Sequence, residues 1–187
     1  MIRQYADRPV DSGSLDRLLS NATRGPSAGF SQGTELLVLD VPDDVALFWT
    51  ATGADPDVHN AWLDGMRAAP VVIVPLADES AYRQRYAEPD KARDQDAEWP
   101  VPYWLVDTGM AALLILQTAV DEDLGACFFG IPAQHVATFR SAFGVPSRLV
   151  PIGAITVGHR LDDAGSPGSP SRRERRTDVV HRGRCST

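Results

Sequence analysis

Residues 69–76 form a nearly unbroken apolar run rich in valine, and this run constrains the fold more than any other segment. Its length suits a strand, and its continuous apolar character predicts that the strand is buried on both faces. A helix predicted over residues 106–121 adds a second constraint, because it is apolar around most of its circumference. Such a helix is buried in a core or in an interface.

Shorter patterns place further elements around these two segments. Apolar residues at helical spacing predict helices over residues 12–22, with Ser12 or Ser14 as the N-cap, over 43–52, over 59–67 and over 132–144. Strands are predicted over residues 35–40, 126–129 and 149–157. The charged segment 78–97 is interpreted as an exposed helix or as an exposed segment that extends away from the core.

Composition limits the classes of function. A length of 187 residues suits one domain, and a formal net charge of −7 argues against general nucleic-acid binding. No apolar run approaches the roughly 20 residues that a membrane helix needs, and the N-terminus has no secretory apolar region. Cys127 and Cys185 make no disulfide framework, so a reducing cytoplasm is expected. A single lysine, Lys91, is typical of a bacterial genome of high GC content.

Conventional catalytic signatures are missing from the sequence. It has no Walker phosphate loop, no GxGxxG after a strand and no GxSxG nucleophile elbow, and its four histidines show no metal-ligand spacing. If the chain is an enzyme, we expect an organic cofactor to carry the chemistry.

Three segments have the properties needed to hold such a cofactor. The loop 26–33 consists of small and hydrogen-bonding residues, Arg182 and Arg184 can both reach a phosphate, and residues 125–130 place glycines around a short apolar strand. Each segment also has a plainer interpretation: a surface loop, a solvated basic tail and a core strand, respectively.

Taken in order, six segments resemble the nitroreductase superfamily over nearly the whole chain. Residues 26–32 are similar to the family loop P-S-x-x-N-x-Q, and residues 107–130 to a core helix that runs into a G-L-G-x-x-x-x-G segment. The other four similar segments are residues 3–10, 68–74, 151–158 and 180–184. The resemblance implies an α+β fold of three layers, with an antiparallel-rich sheet between helices, and an intertwined homodimer.

The resemblance further implies FMN at the subunit interface, contacted by both chains. Residues 1–161 would form the FMN-binding domain, and residues 162–187, beginning with the linker 165–170, an arm that reaches the partner and closes the phosphate site. Carried over by position, the phosphate residues are Arg3, Arg182 and Arg184, and the residues along the ribityl chain and ring are Ser27, Ala28, Gly29 and Gln32. The backbone N–H of Gly130, with Phe129, would face flavin N5. Candidates for the substrate pocket are Phe30, Trp99, Tyr103 and Trp104.

The function implied by the resemblance is an FMN-dependent oxidoreductase. It would take a hydride from NADH or NADPH and pass it through flavin N5 to a nitroaromatic, a quinone or a similar acceptor by a ping-pong mechanism. Phe30 stands where the family has Asn, Phe129 where several relatives have an acidic residue or glycine, and two basic residues that precede the family motif are absent. These departures keep two alternatives open: a non-catalytic protein that binds flavin or deazaflavin, and a flavin-fragmenting enzyme of the same superfamily.

Overall fold

A computed structural model describes residues 1–55, 57–91, 94, 98–161 and 176–185. The helices are α1 (Ser12–Ala22), α2 (Pro42–Ala51), α3 (Ala61–Arg67), α4 (Glu79–Ala87), α5 (Tyr103–Asp121) and α6 (Val136–Phe143), with 3₁₀ turns at Ala28–Phe30 and Ala133–His135. The strands are β1 (Thr34–Leu39), β2 (Val71–Asp78), β3 (Gly125–Phe129), β4 (Leu149–Pro151) and β5 (Ala154–Gly158).

The five strands form one antiparallel sheet in which β2 is central. The order is β1-β2-β5-β3, with β4 paired to β2 beyond the end of β5. Along β2, Val71–Ile73 pair with β5 and Leu76–Asp78 pair with β4, while β1 runs along the other side. Strands β1 and β3 therefore lie at the two ends of the strand order.

Every residue of β2 is buried, which confirms the prediction for the apolar run 69–76. Val72, Val74 and Leu76 belong to a core that includes residues of α2, α3 and α6. Val71 and Ile73 belong to a second core, built with α1 and α5. Since neighbouring residues of a strand point to opposite faces, helices cover both sides of the sheet. The predicted three-layer α+β fold is confirmed.

One side of α5 remains exposed. The core takes Ala111, Ala112, Ile115 and Ala119, whereas apolar residues on the rest of the helix are open to solvent: Leu105, Val106, Met110, Leu113 and Val120. Among the described helices, α5 is the one long and apolar enough to span a membrane, a test that core helices of soluble proteins also pass.

The structure corrects the predicted start of α1. Asp11, and neither Ser12 nor Ser14, is the N-cap, and its carboxylate accepts a hydrogen bond of 2.9 Å from the backbone N–H of Ser14. The Ser14 hydroxyl instead donates to Asp11 and lies 2.9 Å from Glu122 at the end of α5. A carboxylate is an equally good cap, so the local sequence did not separate these candidates.

Three further predictions were wrong in part. The strand predicted over residues 149–157 is two strands, because Gly153 has a φ of 153° and a side chain there would overlap the ring of Phe128. The segment 78–97 begins with α4, but it is not simply exposed, since Tyr82 is fully buried. Helix α5 begins three residues earlier than predicted. The predicted linker 165–170 lies outside the described residues.

Candidate functional site

The loop between α1 and β1, residues 26–33, has a strained backbone. Gly29, Phe30 and Gln32 all lie in the left-handed region, with φ values of 65°, 57° and 53°. This region is unusual for residues with a side chain, and holding such a residue there costs about 1–3 kcal/mol. The conformation persists only where surrounding contacts impose it, and segments of this kind are concentrated at ligand-binding sites.

Four of the hydrogen bonds that fix the conformation of this loop involve side chains. Its own hydroxyl groups supply two: the Ser27 hydroxyl accepts from the backbone N–H of Gln32 at 2.8 Å, and the Ser31 hydroxyl donates to the carbonyl of Ala28 at 2.7 Å. The surrounding helices supply the others. The Asp107 carboxylate accepts from the backbone N–H of Ala28 at 2.7 Å, and Arg85 donates to the carbonyl of Gly29 at 2.9 Å.

Two glycines allow the loop to lie directly on α4. A Cβ atom at Gly29 would come within 2.6 Å of the Tyr86 ring, and one at Gly33 within 2.5 Å of the Tyr82 ring. Neither position has room for a side chain, so the two glycines let the backbone of the loop pack directly against the tyrosine rings of α4.

An aromatic cluster lies beside the loop, at the start of α5. Trp99 is its centre, with ring centroids 4.9 Å from Tyr86, 6.2 Å from Tyr103 and 5.8 Å from Trp104. Trp104 is buried and also packs on Tyr82, whereas Tyr103 is exposed over 41% of its surface. The structure thus brings Trp99, Tyr103 and Trp104 next to the predicted cofactor loop.

The side chain of Phe30 projects away from this packing. It is 77% exposed, the largest exposure among the aromatic residues that the structure describes. Its backbone N–H donates to the carbonyl of Ser27 at 2.8 Å, so the residue takes part in the turn while its ring remains in solvent. An exposed ring at a strained position is available for contact with a ligand or with another chain.

Arg3 lies at strand β3, away from the loop. The backbone N–H of the preceding Ile2 donates to Ala126 at 2.9 Å, and a side chain at Gly65 of α3 would overlap the carbonyl oxygen of Arg3. The guanidinium lies beside Cys127: burial raises the pKa of this thiol, and Arg3 opposes the shift. A buried thiol with a raised pKa is protonated and poorly nucleophilic, so Cys127 is not a candidate nucleophile.

Phe129 and Gly130 end strand β3 near a small cavity. The Phe129 ring stacks on Trp49, with centroids 5.5 Å apart and an interplanar angle of 5°, and meets Trp62 edge-on at 6.2 Å. Gly130 is exposed, and a Cβ atom there would meet no other atom within 4 Å. These residues line a cavity of about 230 Å³ together with parts of α2 and α3.

Arg182 and Arg184 lie in the described C-terminal segment, residues 176–185. Every residue of this segment is exposed. In the segment, Arg176 forms an ion pair of 3.0 Å with Asp178. Arg182 and Arg184, which the sequence predicts to bind phosphate, are therefore open to solvent.

Apart from Arg182 and Arg184, the predicted site residues fall into two groups within one chain. The loop 26–33 precedes β1, and Gly130 follows β3, which lie at opposite ends of the strand order. Three strand spacings separate β1 from β3, or about 14 Å. Arg3 belongs with the second group, since its segment is bonded to β3.

The residues that support the loop from its buried side were not predicted from the sequence. Asp107 and Tyr82 are buried, and the Tyr82 hydroxyl donates to the same Asp107 oxygen, Oδ2, at 2.8 Å. The available signal was an acidic residue inside the most apolar predicted helix, because a buried charge needs partners. Arg85 gave no comparable signal, since it lies in a segment rich in charges.

The chain is an α+β protein of three layers, with a strained loop before β1, and its sequence can be compared with known families. The sequence profile of the nitroreductase family matches residues 1–159. The chain belongs to the nitroreductase family.

Particular relatives agree with this assignment. A protein of Methanothermobacter thermautotrophicus, whose name proposes an NADH dehydrogenase/NAD(P)H nitroreductase, is 26% identical over 168 residues, which are 88% of this chain and 75% of the relative. The NfrA1 nitroreductase of Bacillus subtilis has a similar structure, with a TM-score of 0.75 and 19% identity over 99% of this chain and 71% of that one. An FMN-dependent nitroreductase of Clostridium difficile R20291 gives a TM-score of 0.68 and 21% identity over 98% and 94% of the two chains.

Proposed function

We propose that this chain is an FMN-dependent oxidoreductase that uses NADH or NADPH. It would transfer a hydride through flavin N5 to an electron-poor acceptor, such as a nitroaromatic or a quinone, by a ping-pong mechanism. Family membership supports an oxidoreductase, and the names of the relatives point to a nicotinamide donor and to FMN. The cytoplasm remains the proposed compartment.

The observation that carries this proposal is the preformed loop 26–33. Gly29, Phe30 and Gln32 are left-handed, and two helices hold the loop by hydrogen bonds at Ala28 and Gly29. The loop also packs directly on α4 at Gly29 and Gly33, where a side chain has no room. A free surface loop gains nothing from such strain. A loop that binds a flat, polar ring gains a fixed arrangement of donors and acceptors before the ligand arrives.

The residues present fit the chemistry of FMN. Guanidinium groups of Arg3, Arg182 and Arg184 suit a phosphate dianion, because they form charge-assisted hydrogen bonds to its oxygens. Ser27, Ala28, Gly29 and Gln32 would contact the ribityl chain and the ring through backbone groups and one side-chain amide. When bound, FMN supplies the two-electron chemistry, and the chain supplies binding, orientation and local hydrogen bonding.

Gly130 has the role of a backbone donor in this proposal. Its open environment leaves room for a ring to approach the N–H, which would face flavin N5, while Phe129 is held in place by Trp49. A donor at that atom favours the negative charge that develops on reduction. We further infer a homodimer, because the loop and Gly130 lie at opposite ends of the sheet and two copies can bring one of each together.

Flavin binding and turnover test the proposal directly. Purified protein is titrated with FMN, binding is followed by quenching of flavin fluorescence, and oxidation of NADH and NADPH is then measured with a nitroaromatic or a quinone. We expect saturable binding and parallel double-reciprocal plots at several acceptor concentrations. Protein that stays colourless after addition of FMN would contradict the proposal.

A second candidate is a non-catalytic protein that binds FMN or a deazaflavin. Phe30 favours it, because an exposed phenylalanine replaces a residue that could hydrogen-bond the ring. A calorimetric series over FMN, FAD and a deazaflavin separates the two candidates. Tight binding without oxidation of NAD(P)H above the rate with free flavin would support the binding protein.

A further inference from the structure

We propose that Asp107, a buried carboxylate on α5, is a positioning residue that holds the loop 26–33 in its ligand-binding conformation. The inference rests on the proposed function, since it concerns the same site. Asp107 itself need not touch the cofactor; it acts through the backbone of Ala28.

The geometry ties the loop to α5, the longest of the described helices. One oxygen of Asp107, Oδ2, accepts both the backbone N–H of Ala28 at 2.7 Å and the hydroxyl of Tyr82 at 2.8 Å. Asp107 is 6% exposed and Tyr82 is fully buried. The carboxylate thus joins three elements at one atom: α5, α4 and the loop.

The second donor, the Tyr82 hydroxyl, remains a donor at alkaline pH. Burial, together with the Asp107 carboxylate, raises the pKa of Tyr82 far above its ordinary value. The phenol therefore remains protonated and continues to donate. The other donor to the Asp107 carboxylate is the backbone N–H of Ala28, which does not titrate.

The strain in the loop explains why an anchor is needed. Immediately after Ala28 come Gly29 and Phe30, both left-handed, and Gln32 follows them. Without the hydrogen bond at Ala28, the first turn of the loop is free to relax to ordinary backbone angles. That change moves every later backbone group of the loop, including those proposed to face the ring.

A matched set of variants tests the inference. Asp107→Ala removes the acceptor, and Asp107→Asn keeps an oxygen for the same two donors without the charge. The control is Thr118→Val on the same helix, because Thr118 is also buried and lies far from the loop. This variant removes the hydroxyl that accepts a 3.1 Å hydrogen bond from the Asn21 side chain. The free energy of unfolding of each variant is measured by urea denaturation.

The first readout needs no cofactor. Amide hydrogen exchange of residues 26–33 is measured in the protein without FMN. We expect faster exchange in Asp107→Ala than in Thr118→Val, with most of the protection restored in Asp107→Asn. Equal exchange in Asp107→Ala and Thr118→Val would overturn the inference.

The second readout is the cofactor. We expect Asp107→Ala to raise the Kd for FMN roughly 10- to 100-fold and to change the visible circular dichroism of the bound flavin at saturation, whereas Asp107→Asn stays within about 10-fold of the wild type. An unchanged Kd in Asp107→Ala would overturn the cofactor role. A wild-type protein that binds no FMN would instead overturn the proposed function, and the exchange result would still decide whether Asp107 holds the loop.

Discussion

Trp49 is a residue at which packing and hydrogen bonding oppose each other. Its ring is buried, with 6% exposure, and stacks on Phe129, but its indole nitrogen Nε1 has no hydrogen-bond partner among the described residues. An unsatisfied buried donor costs about 1–3 kcal/mol. This loss offsets part of what the apolar area of the ring contributes.

Trp49→Phe removes the unsatisfied donor and keeps an aromatic ring. We expect the free energy of unfolding to stay within about 1 kcal/mol of the wild type, because the recovered donor cost compensates for the lost area. Trp49→Ala, as the comparison, should cost about 3–5 kcal/mol. Urea denaturation measures the free energy of unfolding of both variants. A decrease above about 2 kcal/mol in Trp49→Phe would show that the unsatisfied donor does not destabilise the protein.

The exposed arginines near the C-terminus give a second prediction at this scale. Replacing Arg182 and Arg184 together by Ala should weaken FMN binding by about 3–5 kcal/mol, because two charge-assisted contacts to the phosphate are lost. Arg176→Ala is the control, since Arg176 is paired with Asp178 in the same segment. Unchanged affinity in the double variant would show that these arginines form only a solvated tail.

The position of the cofactor loop could be predicted from the sequence, but its backbone conformation could not. The position of the loop 26–33 follows from its small residues, but the left-handed Phe30 and Gln32 do not, because their local preferences oppose that conformation. Asp107 and Arg85, which approach from helices distant in the sequence, fix the backbone of the loop at Ala28 and Gly29. Contacts of this kind leave no mark on local patterns.

Helices α1 and α5 are joined by an ion pair that gives a pH-dependent prediction. Arg17 forms hydrogen bonds of 2.5 and 2.6 Å to the two oxygens of Glu122. The Arg17 guanidinium, followed by the Ser14 hydroxyl, holds the pKa of Glu122 below its ordinary value. The contribution to stability is therefore complete above the unfolded-state pKa and disappears as the pH falls through the folded-state pKa.

Glu122→Gln tests this sign. At about pH 7 the variant should have a lower free energy of unfolding than the wild type, and the difference should shrink as the pH falls through the folded-state pKa of Glu122, where its carboxyl becomes neutral. Chemical denaturation at a series of pH values gives the comparison. A difference that stays constant down to the lowest pH would contradict the role of the charge.

Long elements with a uniform pattern were predictable, and interrupted ones were not. Strand β2 and helix α5 were found because their apolar character continues over many residues. The break between β4 and β5 was missed because Gly153 avoids the ring of Phe128, a contact between distant parts of the chain. The burial of Tyr82 within a charged segment has the same origin.

At the scale of the molecule, the exposed side of α5 predicts self-association. Val106, Met110, Leu113 and Val120 are between 38% and 73% exposed on a helix whose other side is core. Contiguous exposed apolar surface marks an interaction site. Leu113→Glu should convert the proposed dimer to monomer, as measured by sedimentation velocity. Leu47→Glu on α2 serves as the control, since Leu47 is 42% exposed and Leu113 52%. A dimer that persists in Leu113→Glu would place the interface elsewhere.

The separation of the loop from Arg3 has a consequence for mixed assemblies. Suppose that one chain carries Asp107→Ala and another Arg3→Ala: each defective homodimer then has two damaged sites. In the hybrid, one site combines both defects, and the other combines an intact loop with an intact arginine. Random exchange of equal amounts should therefore restore tight flavin binding to about a quarter of all sites, through complementation between two individually inactive proteins.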